Sequence, residues 1–430
     1  MSNFGRLPWF NFSQAEKQMS SKPAIMQPLA TSDSEDVREE IVKRARAMIP
    51  DLIARQAETE ERTYYGPETH EAFKEAGFYR ILMPKKFGGL DLDVMTYYRV
   101  VQEIAIGCPS TAWQFCLGSA HAVTLCGMID EDAQKEIFDL DEPFICAMTT
   151  RPQGEAHRQP NGDWILNGVF NFCSGAPYSS HFMSHTMGFE ADGSEIGVIT
   201  FVAPRSEWTM LDDWGGSLGL KGSGSHSLEF KDAHIPASYV NEDAMIITHR
   251  LPPKGQGGPD FDNPLYYGGT LSLWLLEPTA LTLGMVKGAL DECTMFMKKK
   301  TVPVPPITLK AENPDFQRWY GSAAAKIATA EAAYAIACEK WTEDARLNMQ
   351  GRLTPDMTLE ITSNVICGEV MEMCWEAMQL LYRVAGTTAI FNGQRWQRIY
   401  RDLSTARSHG FNTRFDQIHR DFAGRLLEEH

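Results

Sequence analysis

Apolar residues recur three and four positions apart from Val37 to Ile53: Val37, Ile41, Ala45, Met48, Ile49, Leu52 and Ile53. That period gathers them on one face of a helix, and Ser34 just ahead of them reads as its cap. The same spacing continues through ETHEAFKEAGF and DVMTYYRVVQEIAIG, with FGGL as a turn between them. These segments define a helical domain over residues 34–143, preceded by a polar extension, residues 1–33. The period then shortens. PFICAMTT, GDWILNGVFNFCSG, GVITFVAP and HSLEFKDAHIP are brief, rich in β-branched and aromatic residues, and bounded by Gly, Asp and Asn. They predict a middle antiparallel, barrel-like β domain over residues 144–251. A Pro/Gly-rich loop, residues 252–267, follows. From residue 268 to 430 the helical period returns in LWLLEPTALTLGMVKGALDECTMFM, FQRWYGSAAAKIATAEAAYAIACEKWTEDARL, MTLEITSNVICGEVMEMCWEAMQLLYRVAG and QRWQRIYRDLSTARSH. These predict a four-helix bundle, so the fold class is α+β, mostly α. Apolar residues on more than one face of the bundle helices predict burial between subunits, as in a homotetramer.

The 430 residues carry a formal net charge of −16. Nucleic acid and anionic membranes are bound through basic faces, so neither is an expected partner. No run of about 18 apolar residues occurs, so a membrane-spanning helix is not expected. Nor is there an apolar stretch behind N-terminal basic residues that would read as a signal peptide. Nine cysteines without C-x-x-C spacing fit reduced thiols in a cytoplasm better than a disulfide scaffold or a zinc ribbon.

Candidate chemistry is sparse. GQGGPD and GLKGSG are glycine-rich, but neither is a G-x-G-x-x-G between a strand and a helix, so no nicotinamide site is expected. His181 and His185 in HFMSH would face one side of a strand about 13 Å apart. No carboxylate cluster accompanies them, so no metal site is expected. STAWQFCLGSAHAV holds Trp113 and His121, eight apart and therefore on one face of a helix. By itself such a pair is more often core than catalytic. Thr149 and Ser174 lie in the β segments, where a hydroxyl holds a ligand edge or caps a turn. His409, in RDLSTARSHGF, stands in a stretch with no carboxylate between Asp402 and Asp416.

The order of helical domain, small β domain and bundle resembles the acyl-CoA dehydrogenase fold. MPKKFGGLDLD followed by VVQEIAIGCPSTA looks like that family's N-terminal signature. AMTT looks like its first flavin-contacting strand, which implies flavin contacts from Thr149 and Thr150. GDWILNGVFNFCSGA, GLKGSGSHSLEFKDAHIP and IYRDLSTARSH resemble its later motifs. In the dehydrogenases the segment after the R-D pair leads to a catalytic glutamate. Here it reads SHG. A thioester α-proton needs a carboxylate held against it, and only Glu277, near the start of the first bundle helix, offers an alternative. The histidine after the R-D-L helix instead resembles the two-component flavin-dependent monooxygenases of the same fold, which hydroxylate aromatic compounds.

That resemblance implies reduced flavin delivered by a separate NAD(P)H-flavin reductase, O2 as co-substrate and a C4a-hydroperoxyflavin. It implies a small phenolic or indolic substrate. Trp113 would border the flavin, Ser174 would lie near its N5, and His409 and His121 would divide peroxide stabilisation and proton abstraction. The dehydrogenases grip their dinucleotide with an arginine after the first bundle helix. Here KKKTVPVPP offers Lys299, which keeps the charge but lacks the bidentate fork. This favours FMN over FAD, with Gly386, Thr387 and Thr388 receiving the phosphate. A dehydrogenase using Glu277 as base, and a non-catalytic scaffold, are the competing readings.

Overall fold

The computed structural model describes residues 35–139, 142–242, 245–246, 251–256, 259–353, 357–410 and 412–428. Ser34, the N-terminal extension and parts of the 252–267 loop lie outside these residues.

The chain opens with α1 (Glu35–Ala47), α2 (Ile49–Arg62), α3 (Pro67–Ala76) and α4 (Val94–Gly107). The apolar stripe read from the sequence is the buried face: Val37, Ile41, Ala45 and Leu52 are all within 4% of full burial. Asp93 caps α4, its carboxylate accepting from Thr96 N at 2.8 Å, which satisfies one of the free amides of the first turn. Three further helices follow: α5 (Pro109–Ser119), α6 (His121–Met128) and α7 (Glu131–Phe138). Trp113 and His121 therefore do not share one continuous helix, as their spacing suggested. The break has a local cause. The Cys116 carbonyl accepts from both Ala120 N at 3.1 Å and the Tyr97 hydroxyl at 2.9 Å. Ser119 Oγ donates back to Phe115 O at 2.7 Å. Side chains inserted into the helical ladder bend it, and His121 becomes the first residue of a new helix.

The middle sheet contains β1 (Cys146–Met148), β2 (Glu155–Arg158), β3 (Trp164–Phe170), β4 (His181–Phe189), β5 (Glu195–Pro204), β6 (Thr209–Met210), β7 (Leu228–Ile235) and β8 (Val240–Asn241). Its path is β6-β7-β3-β2-β4-β5-β8, with β1 also on β4. The sheet is mixed, which corrects the antiparallel expectation: β1 and β2 both run parallel to β4. They occupy successive stretches of one β4 edge, like one strand interrupted at residues 149–154. The chain reaches β4 from β3 through residues 171–180, a crossover rather than a hairpin, so β4 returns in the β1 direction. The sheet also curls. Strands lie about 4.8 Å apart, so β5 and β7, four positions apart in the path, would be far separated in a flat sheet. Yet Phe201 and Phe230 have ring centroids 6.0 Å apart, and Phe170 and Phe182 complete the same interior cluster.

The bundle holds α8 (Thr270–Lys299), α9 (Pro314–Met349), α10 (Met357–Ala385) and α11 (Arg395–Arg407), with α12 (Phe415–Glu428) added against α10. Asn313 caps α9 by accepting from Asp315 N and Phe316 N. Gly284 lets α8 press onto α4, where a Cβ would meet the Gln102 carbonyl at 2.6 Å. The fourth helical segment stops earlier than its sequence suggested. α11 ends at Arg407, Ser408 is its C-cap, and His409 lies just beyond the helix.

Candidate functional site

Three elements from three parts of the chain meet around Trp113. α5 carries the indole, which is 3% exposed. The crossover between β3 and β4 carries Ser174, whose Oγ accepts from Trp113 Nε1 at 3.0 Å. The turn after α11 carries His409, whose ring lies edge-on to the indole, centroids 5.4 Å apart and planes at 69°. Gly175 makes the approach of α5 and the crossover possible. Its φ of +91° suits glycine, and a Cβ there would come within 3.1 Å of Gly118 Cα.

Ser174 is one end of a hydroxyl chain. Its Oγ lies 2.8 Å from Ser225 Oγ, which is 2.7 Å from Ser223 Oγ. The sequence reading passed over Ser223 and Ser225. Their signal was present: serines at 223, 225 and 227 alternate in GSGSHS, and residues two apart on extended chain face one side. Phe172, also missed, is 63% exposed beside this chain and packs against Trp214, centroids 5.5 Å apart. An exposed aromatic next to a half-buried hydroxyl is a surface ready to be covered.

The two histidines have similar electrostatics and different partners. His121 is buried, and its Nδ1 pairs with the Cys146 carbonyl at 2.7 Å. A carbonyl only accepts, so Nδ1 holds the proton and Nε2 carries the lone pair. Burial pulls its imidazole down to about 4, partly opposed by that hydrogen bond. His409 is also pulled down to about 4 by desolvation. Both rings are therefore neutral at pH 7. Thr149 and Thr150 lie where β1 breaks off. The Thr149 hydroxyl lies 2.8 Å from Ser184 Oγ, and the Thr150 carbonyl pairs with His185 Nδ1 at 2.9 Å. His185 Nε2 accepts from Ile246 N at 2.9 Å, so this histidine serves the sheet.

A second locus forms at the far end of the bundle. Gly386 ends α10 with φ +76°, and Thr387 and Thr388 begin the 3-10 turn after it. Lys299 is exposed. The adjacent Lys300 donates to Thr388 Oγ1 at 2.8 Å. Buried Lys310 donates to the Val384 carbonyl at 2.6 Å, and a Cβ on Gly386 would meet its Nζ at 3.3 Å. The sequence reading did not single out Lys300 or Lys310, and nothing in the local pattern marked Lys310.

Glu277 is 1% exposed. Among the described residues its Oε1 has no hydrogen-bond partner, and burial raises its carboxyl well above the usual range. Tyr97, Tyr98 and Cys116 are its electrostatic neighbours. Burial among tyrosines disfavours its carboxylate form, which weighs against Glu277 as the base a dehydrogenase would need.

Models of the acyl-CoA dehydrogenase family match the chain twice, as its N-terminal domain over residues 31–138 and its C-terminal domain over residues 278–414. The flavin-dependent monooxygenase oxygenase subunit HsaA of Rhodococcus jostii is 24% identical, over 86% of this chain and 94% of its own length. The oxygenase component of p-hydroxyphenylacetate 3-hydroxylase from Acinetobacter baumannii is 24% identical over 86% and 85%. Among solved structures, XiaF from Streptomyces in complex with FADH2 and glycerol superposes with a TM-score of 0.83 at 21% identity, covering 91% of this chain and 96% of its own. TdsC from Paenibacillus with FMN and indole gives 0.71 at 19% identity, covering 91% and 98%.

The fold is thus that of the acyl-CoA dehydrogenases. Within it, the chain belongs to the oxygenase components of flavin-dependent two-component monooxygenases.

Proposed function

We propose that this oxygenase takes reduced FMN from a separate NAD(P)H-flavin reductase and, with O2, hydroxylates a small phenolic or indolic compound. The observation that carries the reading is the meeting of Trp113, Ser174 and His409 within hydrogen-bond and ring-contact distance at the junction of three parts of the fold. The relatives support flavin-dependent hydroxylation of an aromatic compound: one is a p-hydroxyphenylacetate hydroxylase component, and the solved neighbours hold FADH2 in one case and FMN with indole in another.

The residue types suit a flavin. Trp113 and exposed Phe172 offer aromatic surface, and Ser174 offers a hydroxyl already aligned by Trp113 and Ser225. Lys300, Thr388 and the backbone around Gly386 are donors fit for a phosphate. A lysine end with no arginine fork suits the single phosphate of FMN better than a dinucleotide. When bound, reduced flavin supplies the electrons that activate O2 and delivers one oxygen atom to the substrate.

The chain's residues supply the rest. Ser174, its hydroxyl aligned by Trp113 and Ser225, would hold the flavin's ring edge. His409, a neutral imidazole with one N–H, donates toward the reacting oxygen. His121, with Nδ1–H committed to Cys146 O, presents Nε2 as acceptor for a phenol or indole proton. Its low proton affinity in the absence of substrate is corrected on transfer, because the new anion lies beside the new imidazolium. Apolar residues left exposed near the lysine end, Val304, Ile307, Ile390 and Phe391, suit contact with another copy in a homotetramer.

The test is a screen of phenols and indoles with a generic flavin reductase, products read by mass. One-oxygen adducts that depend on reduced flavin are expected. Tight FAD copurification with dehydrogenation of acyl thioesters would reverse the assignment.

A further inference from the structure

The three elements that carry Trp113, the serine chain and His409 are joined at a second point, below the site, by one side chain. Asp402 on α11 is 3% exposed. Its Oδ1 accepts from Leu220 N at 2.6 Å, and its Oδ2 accepts from Ser110 Oγ at 3.4 Å. Ser110 stands in the first turn of α5, one turn before Trp113. Leu220 leads directly into Ser223 and Ser225, and so to Ser174. Asp402 itself precedes the turn that bears His409.

The loop it holds needs holding. Leu220 has φ +53°, a left-handed backbone that costs a leucine free energy unless the surroundings enforce it. Its amide is fixed by Asp402, and its carbonyl accepts from Trp214 Nε1 at 3.0 Å. Gly219 lies so close to α11 that a Cβ would meet the Arg401 carbonyl at 2.2 Å. The loop, α5 and α11 thus have one shared register point.

We infer that Asp402 is a positioning residue of the oxygenase: it sets the mutual placement of Trp113, the Ser223–Ser225–Ser174 chain and His409 without touching substrate or flavin. This rests on the function proposed above. Charged and titratable groups around it are Glu60 of α2 and Arg401 of α11, with the Cys108 thiol at the start of α5 and Lys221 following Leu220. Burial, the largest cause, raises its carboxyl to about 7, with Glu60 adding to the rise and the Leu220 hydrogen bond opposing it. Ionised, it makes charge-assisted and tighter bonds to Leu220 and Ser110. Placement therefore tightens as pH rises through about 7.

Asp402→Ala, Asp402→Asn and Ser110→Ala test the inference in the full chain. In Asp402→Ala the fraction of consumed O2 that appears as hydroxylated product should fall on the order of 10-fold, since small misplacements near reacting atoms carry losses of that size. Binding of reduced FMN should change less than about 2-fold on the same argument, because no flavin contact is removed. Asp402→Asn, which still accepts from Leu220 N, should restore most of the product fraction. The parent's product fraction should rise with pH through about 7 and that of Asp402→Asn should run flat. The same bend in both, or parental coupling in a folded Asp402→Ala, overturns the inference. Should Asp402→Ala fail to fold, a parental product fraction in Ser110→Ala together with an unchanged pH bend in Asp402→Asn overturns it equally. Amide exchange provides an arm that needs no turnover: it should quicken in residues 219–225 and 408–410 of the variants, and unchanged exchange there defeats the proposal. No oxygenated product from the parent with any arene would instead defeat the proposed function, leaving the exchange result to judge Asp402.

Discussion

At the scale of single residues, the site separates groups that act by contact from groups that are merely buried. His409 and Glu277 form the clearest pair. His409 lies against Trp113 at the junction of three elements, whereas Glu277 is an acid enclosed in the helical core, where burial disfavours its charged form. His409→Ala should therefore fold and consume O2, but release more hydrogen peroxide and less hydroxylated product. A single preorganised donor is worth about 2.7 to 4 kcal/mol in enzymes where one has been removed, so even part of that shifts the partition strongly. Peroxide assay beside product quantification checks it. Glu277→Gln should keep the parent's coupling, since the amide keeps the shape of a buried acid whose charged form burial disfavours, and a dead variant would revive the dehydrogenase reading. Neither role could be settled from sequence spacing, because proximity to Trp113 is created by chain segments about 300 residues apart.

At the scale of elements, the site depends on close approaches that glycines permit. Gly219 and Gly216 lie in one loop, yet they have opposite surroundings. A Cβ on Gly219 would collide with α11 backbone, while one on Gly216 would meet nothing within 4 Å among the described residues. Gly219→Ala should lower the melting temperature, at a cost of about 1 to 3 kcal/mol for forcing the loop off α11. It should also lower the product fraction, because the same loop leads to Ser223 and Ser225. Gly216→Ala should stay within about 0.5 kcal/mol of the parent. Thermal melts of the two variants beside the parent decide this, and equal melts would show that the loop yields freely. The mixed sheet belongs to this scale as well. Short runs of β-branched and aromatic residues announced β3, β5 and β7, but the crossover through residues 171–180 sets the direction of β4, and no local pattern encodes it.

At the scale of the whole molecule, two sets of buried groups should bend stability in opposite directions between about pH 4 and about pH 7, with the three histidines outweighing one aspartate. His121, His181 and His409 are held near 4 by burial, against an ordinary value of 6.5. Between those values the unfolded chain binds the protons that the folded chain refuses. Their contribution is therefore complete above about 6.5 and lost as pH falls toward about 4. Asp402, raised to about 7 by burial, works the other way: the folded chain holds a proton that the unfolded chain gives up near 3.8, so stability declines as pH rises from about 4 through about 7. Melting temperature should fall steeply on acidification below about pH 6. Asp402→Asn should raise it at about pH 8 relative to about pH 6, compared with the parent. Differential scanning calorimetry across that range measures both. Light scattering at micromolar concentration measures the expected homotetramer, and a monomeric mass would leave the exposed Ile390 and Phe391 unexplained.

The sequence alone determined the class of architecture, because hydrophobic period is a local property: three and four for helices, two for strands, with Gly and Pro marking the changes. It also determined that a carboxylate is missing after the R-D pair, since absence from a short stretch can be read directly. It named Trp113, Ser174 and His409 through resemblance, but could not say that they meet. Tertiary structure decided that, along with the break that moves His121 onto its own helix, the contact of Lys300 with Thr388, and the burial that encloses Glu277. Each of these depends on distances between segments remote in sequence, and on desolvation, which is set by everything packed around a group and not by its neighbours along the chain.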